Sequence, residues 1–245
     1  MKLLPRAIVS VVTAASINLL ALACTTMKPG PDQSVTANVL SPGEQADGWR
    51  LLFDGKTTTG WRNFGKSTIS NSWRVIDGSL VRADTAAGDI ITTDKFRNFD
   101  LAIDWKVAEK GNSGIFYRAT EEVDTIWKAS PEMQVLDDAR HENGTDPLTS
   151  AGANYALYPA PRGVVHPAGE WNHARIVANG NHIEHWLNGV KLFEYELGSA
   201  DWKARVVKAK FHEYPLFGTA AEGHIGLQDH GDHVEFRNIR IKALP

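Results

Sequence analysis

The chain has 245 residues, with 26 lysines and arginines, 29 aspartates and glutamates, and a formal net charge of −3 at pH 7. That balance gives no electrostatic footprint for nucleic acid. With one cysteine there is no intramolecular disulfide, so the folded part must be held by its own core.

The first element read along the chain is a targeting segment. Lys2 and Arg6 precede an apolar run from Ala7 to Leu22, which ends in Ala21-Leu22-Ala23 before Cys24. A short positive region, an apolar core and small residues at its end describe a secretory signal over residues 1–23. The run is diluted by Ser10, Thr13, Ser16 and Asn18, and falls short of the about 20 largely apolar residues that a membrane span needs. The segment resembles a bacterial lipoprotein signal, whose cysteine is acylated and becomes the mature N-terminus. Ala21 stands where that pattern usually has leucine. The alternative is an ordinary signal peptide and an incidental thiol. The expectation is an exported lipoprotein held on the membrane by lipids on Cys24, on the periplasmic or outer-membrane side. Without residues 1–23, which carry Lys2, Arg6 and no acid, 24 basic residues face 29 acidic ones.

Residues 24–46 contain three prolines, two glycines and few large apolar side chains, and read as a flexible tether. Residues 47–245 then read as one β-rich domain. Trp73 to Ile76, the turn Asp77-Gly78 and Ser79 to Arg82 predict a hairpin, because Asp-Gly adopts the positive φ angles of a tight I′ turn. In Phe99 to Val107, Leu101, Ile103, Trp105 and Val107 alternate with Asp100, Asp104 and Lys106, the pattern of a half-buried strand. A second hairpin runs from Ile183 to Leu187, turns at Asn188-Gly189 and returns over Val190 to Tyr195. In the last strand, Val234 and Phe236 differ in parity from Ile239 and Ile241, which predicts a β-bulge near Arg237-Asn238. Many short strands with close turn signals indicate a sandwich or jelly roll. No amphipathic helix of consequence is expected.

Three stretches are candidates for chemistry. In Gly111-Asn-Ser-Gly-Ile-Phe-Tyr-Arg118, strand alternation places Phe116 and Arg118 on one face, either as a sugar-binding pair or as a core ring and a surface cation. In Pro131-Glu-Met-Gln-Val-Leu-Asp-Asp138, Glu132 and Gln134 oppose Met133 and Val135; they need partners if buried, or else mark an exposed sheet face. Asp137, Asp138, His141 and Glu142 follow as a polar loop cluster, solvated or metal-binding, with no specific metal motif. In Gly226-Leu-Gln-Asp-His-Gly231, Gln228 and His230 share parity, and His230 is either a general acid–base group or a hydrogen-bonded structural histidine. His166, His173, His182, His185 and His212 are scattered and read as structural. Gly-x-Ser-x-Gly, a cysteine nucleophile and a phosphate-cradling loop are all absent from the sequence.

Taken in order, these stretches resemble the 3-keto-disaccharide hydrolase family, once called domain of unknown function 1080. The likeness begins at Gly48-Trp-Arg-Leu-Leu-Phe-Asp-Gly-Lys56 and Gly60-Trp61, and runs through the three stretches above. It continues in Gly169-Glu-Trp-Asn172, His185-Trp-Leu-Asn-Gly189, Gly223 to Gly231 and Val234-Glu-Phe-Arg-Asn-Ile239. It implies an all-β, concanavalin A-like jelly-roll sandwich that binds sugar on its concave sheet. It also implies cleavage of glycosides whose glucosyl unit is already oxidised at C3.

The chemistry of such a substrate assigns expected roles. A C3 ketone acidifies the C2 hydrogen, so a modest base starts an elimination of the C1–O bond, and water then adds. Glu132 or His230 is expected to move protons. Phe116, Arg118, Gln134 and Gln228 are expected to bind sugar, and Asp137 to orient a neighbour or hold a divalent metal ion. The expected partners are an oxidised di- or oligosaccharide and the membrane, not nucleic acid. The rival readings are a non-catalytic carbohydrate-binding module and a structural surface lipoprotein.

Overall fold

The computed structural model describes residues 37–245; the expected signal segment, Cys24 and most of the expected tether lie outside the described residues. The strands are β1 (Trp49–Leu51), β2 (Trp61–Asn63), β3 (Trp73–Ile76), β4 (Ser79–Arg82), β5 (Ile90–Thr92), β6 (Phe99–Val107) and β7 (Asn112–Ala119). They continue as β8 (Glu132–Leu136), β9 (Asn172–Asn179), β10 (His182–Leu187), β11 (Val190–Glu196), β12 (His224–Leu227) and β13 (Val234–Ala243). One antiparallel sheet has the order β11-β10-β9-β6-β13-β4-β3, with β1 also on β13; the other has the order β2-β5-β12-β7-β8. This is the concanavalin A-like jelly-roll sandwich that the resemblance implies.

The core lies between the sheets. Ile103 and Trp105 from the larger sheet join one cluster with Ile115, Tyr117, Met133, Val135, Ile225 and Leu227 from the smaller, each no more than 1 % exposed. The predicted hairpins form where the turn residues demand them: Asp77 and Gly78 have φ of 49° and 75°, and Asn188 and Gly189 have 50° and 80°. The bulge in β13 falls between Arg237 and Arg240, with Asn238 at φ 51°. Asn38 and Asn238 exchange side-chain-to-backbone hydrogen bonds of 2.6 and 2.8 Å, which pins that bulge.

Two features differ from expectation. The end of the expected tether is docked: Asn38 is buried, and a short helix, α1 (Pro42–Ala46), is capped by Ser41 and Glu44. A nine-residue helix, α2 (Ala200–Lys208), follows a Ser199 N-cap. Its Trp202 stacks between Tyr195 and Phe217, at 5.2 and 5.8 Å, and Phe211 stacks on Phe217 at 4.0 Å. The helix is amphipathic but short, and packing of Trp202 in that ring column, with Val206 against the core, holds it.

One buried polar chain crosses the core. His185 Nδ1 lies 3.0 Å from the Gly152 carbonyl, which can only accept, so Nδ1 carries the hydrogen. Nε2 therefore accepts from the Tyr117 hydroxyl at 2.9 Å, and Tyr117 in turn bonds Tyr195. Burial holds His185 neutral, with its pKa lowered to about 4. The histidine is structural, and it fixes the loop that runs beside β8.

Candidate active site

Directly opposed residues in antiparallel strands share a face. Phe116 pairs with Glu132 and Gly226, and Gly114 with Gln134. Ile115, Tyr117, Met133 and Val135 therefore enter the core, while Asn112, Gly114, Phe116, Glu132 and Gln134 stand on the outer face of the smaller sheet. The free edge of β8 is covered by the 152–155 loop, through Gly152 N to Gln134 O at 2.8 Å and Tyr155 N to Glu132 O at 3.0 Å. Tyr155 thereby joins Glu132 on the outer face.

That face has two halves. Over one half, Phe116 is sealed beneath Ile126 with Ile91 and Ala119, and is 0 % exposed. Arg62 anchors the covering loop through two 2.6 Å bonds to Glu121, which hold that carboxyl down at about 2. The other half is open. Asn112, Glu132, Gln134 and Gln228 floor a cleft of about 140 Å³, walled by Trp127, Tyr155, Lys210 and Phe211 and rimmed by Asn143 and His230.

The groups in the cleft are poised for a ligand. Buried polar atoms are nearly always hydrogen-bonded. Yet Asn112 Oδ1, Gln134 Nε2 and Gln228 Oε1 are buried without a partner, and all three residues line this cleft. Glu132 is 7 % exposed, and burial pushes its carboxyl up to about 8. The Lys210 charge opposes that shift, and the Asp89 charge adds to it. Asp89 is itself raised to about 6, first by burial and then by the neighbouring Asp229 charge; its Oδ1 accepts from the Asp229 amide at 2.9 Å. Burial and the Glu132 charge also raise the Tyr155 hydroxyl.

Four of the expected site residues meet here: Glu132, Gln134, Gln228 and His230. Phe116, Arg118 and Asp137 do not. An extra residue in β7 shifts its register with β12, and Arg118 sits there at φ 53°. The bulge breaks the parity that joined Arg118 to Phe116, and the guanidinium donates to the Arg97 and Gly180 carbonyls instead. Asp137 is 3 % exposed, and its carboxylate accepts from the amides of Lys110 at 2.8 Å and Ala139 at 3.2 Å. It organises a turn, and among the described residues it belongs to no group of three or more histidine, cysteine or carboxylate side chains placed to share a metal. The described residues that could group around a metal are His182, Glu184 and Glu194, on the other sheet, where Lys191 already bonds both glutamates. In the cleft, Glu132 with the bare oxygens of Asn112 and Gln228 supplies the hard donors that a divalent ion takes.

Asp89, Asn112, Trp127, Tyr155 and Lys210 were not anticipated. Asn112 carried a signal, because it shares parity with Gly114 and Phe116 in a quoted motif. The others are brought in by loops and by the turn after α2, which no local pattern links to β8.

Residues 48–242 match the 3-keto-alpha-glucoside-1,2-lyase-like domain. The chain is 37 % identical over 230 residues to a 3-keto-disaccharide hydrolase of Bacteroides thetaiotaomicron, covering 81 % of this chain and 79 % of that protein. It is also 37 % identical to a protein of Parabacteroides distasonis described as a glycosyl hydrolase. The two superpose with a TM-score of 0.80 over 85 % of this chain and 100 % of that one. A second structure so described from the same organism is 32 % identical, with a TM-score of 0.63, over 80 % of this chain and 99 % of that one.

Proposed function

The chain belongs to the 3-keto-alpha-glucoside-1,2-lyase-like family, and on that premise we propose that it cleaves glycosides whose glucosyl unit carries a ketone at C3. It is a glycoside-cleaving hydrolase, and the observation that carries the finer reading is Glu132. This carboxyl is buried on the floor of a cleft, bonded to no other side chain among the described residues, and raised to about 8. A base whose pKa lies near the working pH is strong enough to act and still ionised enough to be present.

Glu132 removes the C2 proton, and the electron pair of that bond forms the C2–C3 double bond of an enolate. The enolate then collapses to re-form the C3 ketone and expels the C1 oxygen, which His230 protonates from the rim. Water adds across the resulting C1–C2 double bond, its hydroxyl to C1 and its proton to C2. Gln134, Gln228 and Asn112 hold the sugar hydroxyls with the atoms that the protein leaves unbonded. Trp127 supplies the aromatic face expected of Phe116. Such an elimination does not require two carboxylates flanking the anomeric carbon.

A module that only binds sugar gains nothing from a buried, unpaired acid, so the enzyme reading is preferred to the binding one. The test is cleavage of 3-keto-glucosides and their unoxidised parents by the wild type, Glu132→Gln and His230→Ala. Glu132→Gln is expected to lose at least about 10²-fold in kcat, a typical acid–base contribution. Full activity in both variants would remove these assignments. The reading includes export and a lipid anchor at Cys24, and mass spectrometry of the mature N-terminus tests that part.

A further inference from the structure

Taking a proton from C2 beside a ketone places a full negative charge on the C3 oxygen, and that charge must be met by a donor or a cation already in place. Arg118 is turned away to backbone carbonyls. Among the residues that line the cleft, Lys210 carries the one permanent positive charge.

Its position is built by the core. The ring column through Tyr195, Trp202, Phe217 and Phe211 fixes the short 3₁₀ turn Lys210–Glu213 that follows α2. Phe211 is the last ring of that column and is 3 % exposed. The Lys210 ammonium stands 4.6 Å from the Trp127 ring centroid, 5.0 Å from Tyr155 and 5.5 Å from Phe211. Aromatic faces attract a cation without neutralising it. The residue is exposed and reaches the cleft from its rim, so a sugar seated on Glu132 would cover it and strengthen its field. Its charge also acts on Glu132 across the cleft.

We propose that Lys210 is the enolate-stabilising cation of this cleft, an inference that rests on the 3-keto-glucoside reading above: its ammonium holds the C3 carbonyl oxygen while Glu132 takes the C2 proton. As the C2–H pair becomes the C2–C3 double bond, the carbonyl π pair moves onto the C3 oxygen against the ammonium. Collapse of the enolate returns that pair and breaks the C1–O bond. An unoxidised glucoside presents a hydroxyl at C3 and develops no such charge. Lys210 therefore discriminates in the transition state more than in binding.

Enolisation can be isolated with 1,5-anhydro-3-keto-glucitol, which has the ketone and the C2 hydrogen but no leaving group at C1. Hydrogen-to-deuterium exchange at C2 is followed by NMR in D2O, with kcat and KM measured on a 3-keto-glucoside. Lys210→Met and a second neutral variant, Lys210→Gln, are expected to slow exchange and kcat at least about 10²-fold with little change in KM. Lys210→Arg, which keeps the charge, should recover part of the loss. Wild-type exchange rates in a folded neutral variant would overturn the assignment while leaving the substrate reading intact. A wild type that neither exchanges C2 nor cleaves 3-keto-glucosides would overturn the substrate reading, and this inference with it.

Discussion

Glu132 lays its carboxyl across the α-carbon of Gly114 in the neighbouring strand: a methyl group on Gly114 would stand 2.1 Å from Glu132 Oε1 and 2.7 Å from Cδ. The glycine is not at a positive φ, so its backbone would accept alanine. It is the space that matters. Gly114→Ala should push the carboxyl out of its seat and lower kcat about 10²-fold, as small misplacements of a reacting group do. The fold should survive, because the clash is with the end of a flexible side chain. Unchanged kcat in a folded Gly114→Ala protein would show that the seat is not the working position.

Burial of Glu132 also affects stability. Its folded pKa, about 8, lies above the usual 4.5, so the native state prefers the proton. Below pH 4.5 there is no penalty; as pH rises through 4.5 toward 8 the unfolded chain ionises first, and the native state loses stability by up to a few kcal/mol. Glu132→Gln should therefore be more stable than wild type at pH 8, with a smaller gain at pH 5. Denaturant midpoints at the two pH values measure this, and a gain that ignores pH would contradict it.

His185 works in the opposite direction. Its pKa is lowered to about 4 from 6.5, so as pH falls through that window the unfolded chain binds a proton that the native state refuses. On the order of 3 kcal/mol is lost across it. His185→Phe takes one of two partners from the Tyr117 hydroxyl and the imidazole donor from the Gly152 carbonyl, and should be less stable throughout. Its stability should nevertheless fall less steeply between pH 6.5 and 4 than that of the wild type. An equal acid slope in the two proteins would assign the effect elsewhere.

Asp89 sets part of the Glu132 pKa. At neutral pH it is largely ionised, and its charge holds Glu132 up. Asp89→Asn should move the acid limb of the kcat/KM profile to lower pH, because Glu132 then ionises more easily. A limb that stays in place or moves upward would contradict the coupling.

If Lys210 meets the enolate charge, a chelator should leave activity intact. Loss of activity in EDTA, restored by a divalent ion, would place a metal on Glu132 and the amide oxygens of Asn112 and Gln228 instead.

Much of this was legible in the chain. Alternation identified β6 and β8, the Asp-Gly and Asn-Gly pairs identified two hairpins, and a parity slip located the bulge at Asn238. Glu132 and Gln134 were recognisable as polar residues opposite a core pair, and Gln228 and His230 by their shared parity. Arg118 was misplaced because a bulge at its own position reverses its face, and nothing in Phe-Tyr-Arg signals one. Lys210 and Tyr155 were illegible for a different reason. They reach the cleft through long-range packing, one on a column of stacked rings and one on a loop laid along β8.

If cleavage begins with loss of the C2 proton to Glu132, the hydrogen at C2 of the product comes from water. Turnover of a 3-keto-glucoside in D2O tests it most directly, with the product read by NMR or mass spectrometry and corrected for exchange of the free product. The wild type is expected to place one deuterium at C2 for each bond cleaved, and Glu132→Gln to show almost no cleavage. Cleavage that leaves the original hydrogen on C2 would contradict it.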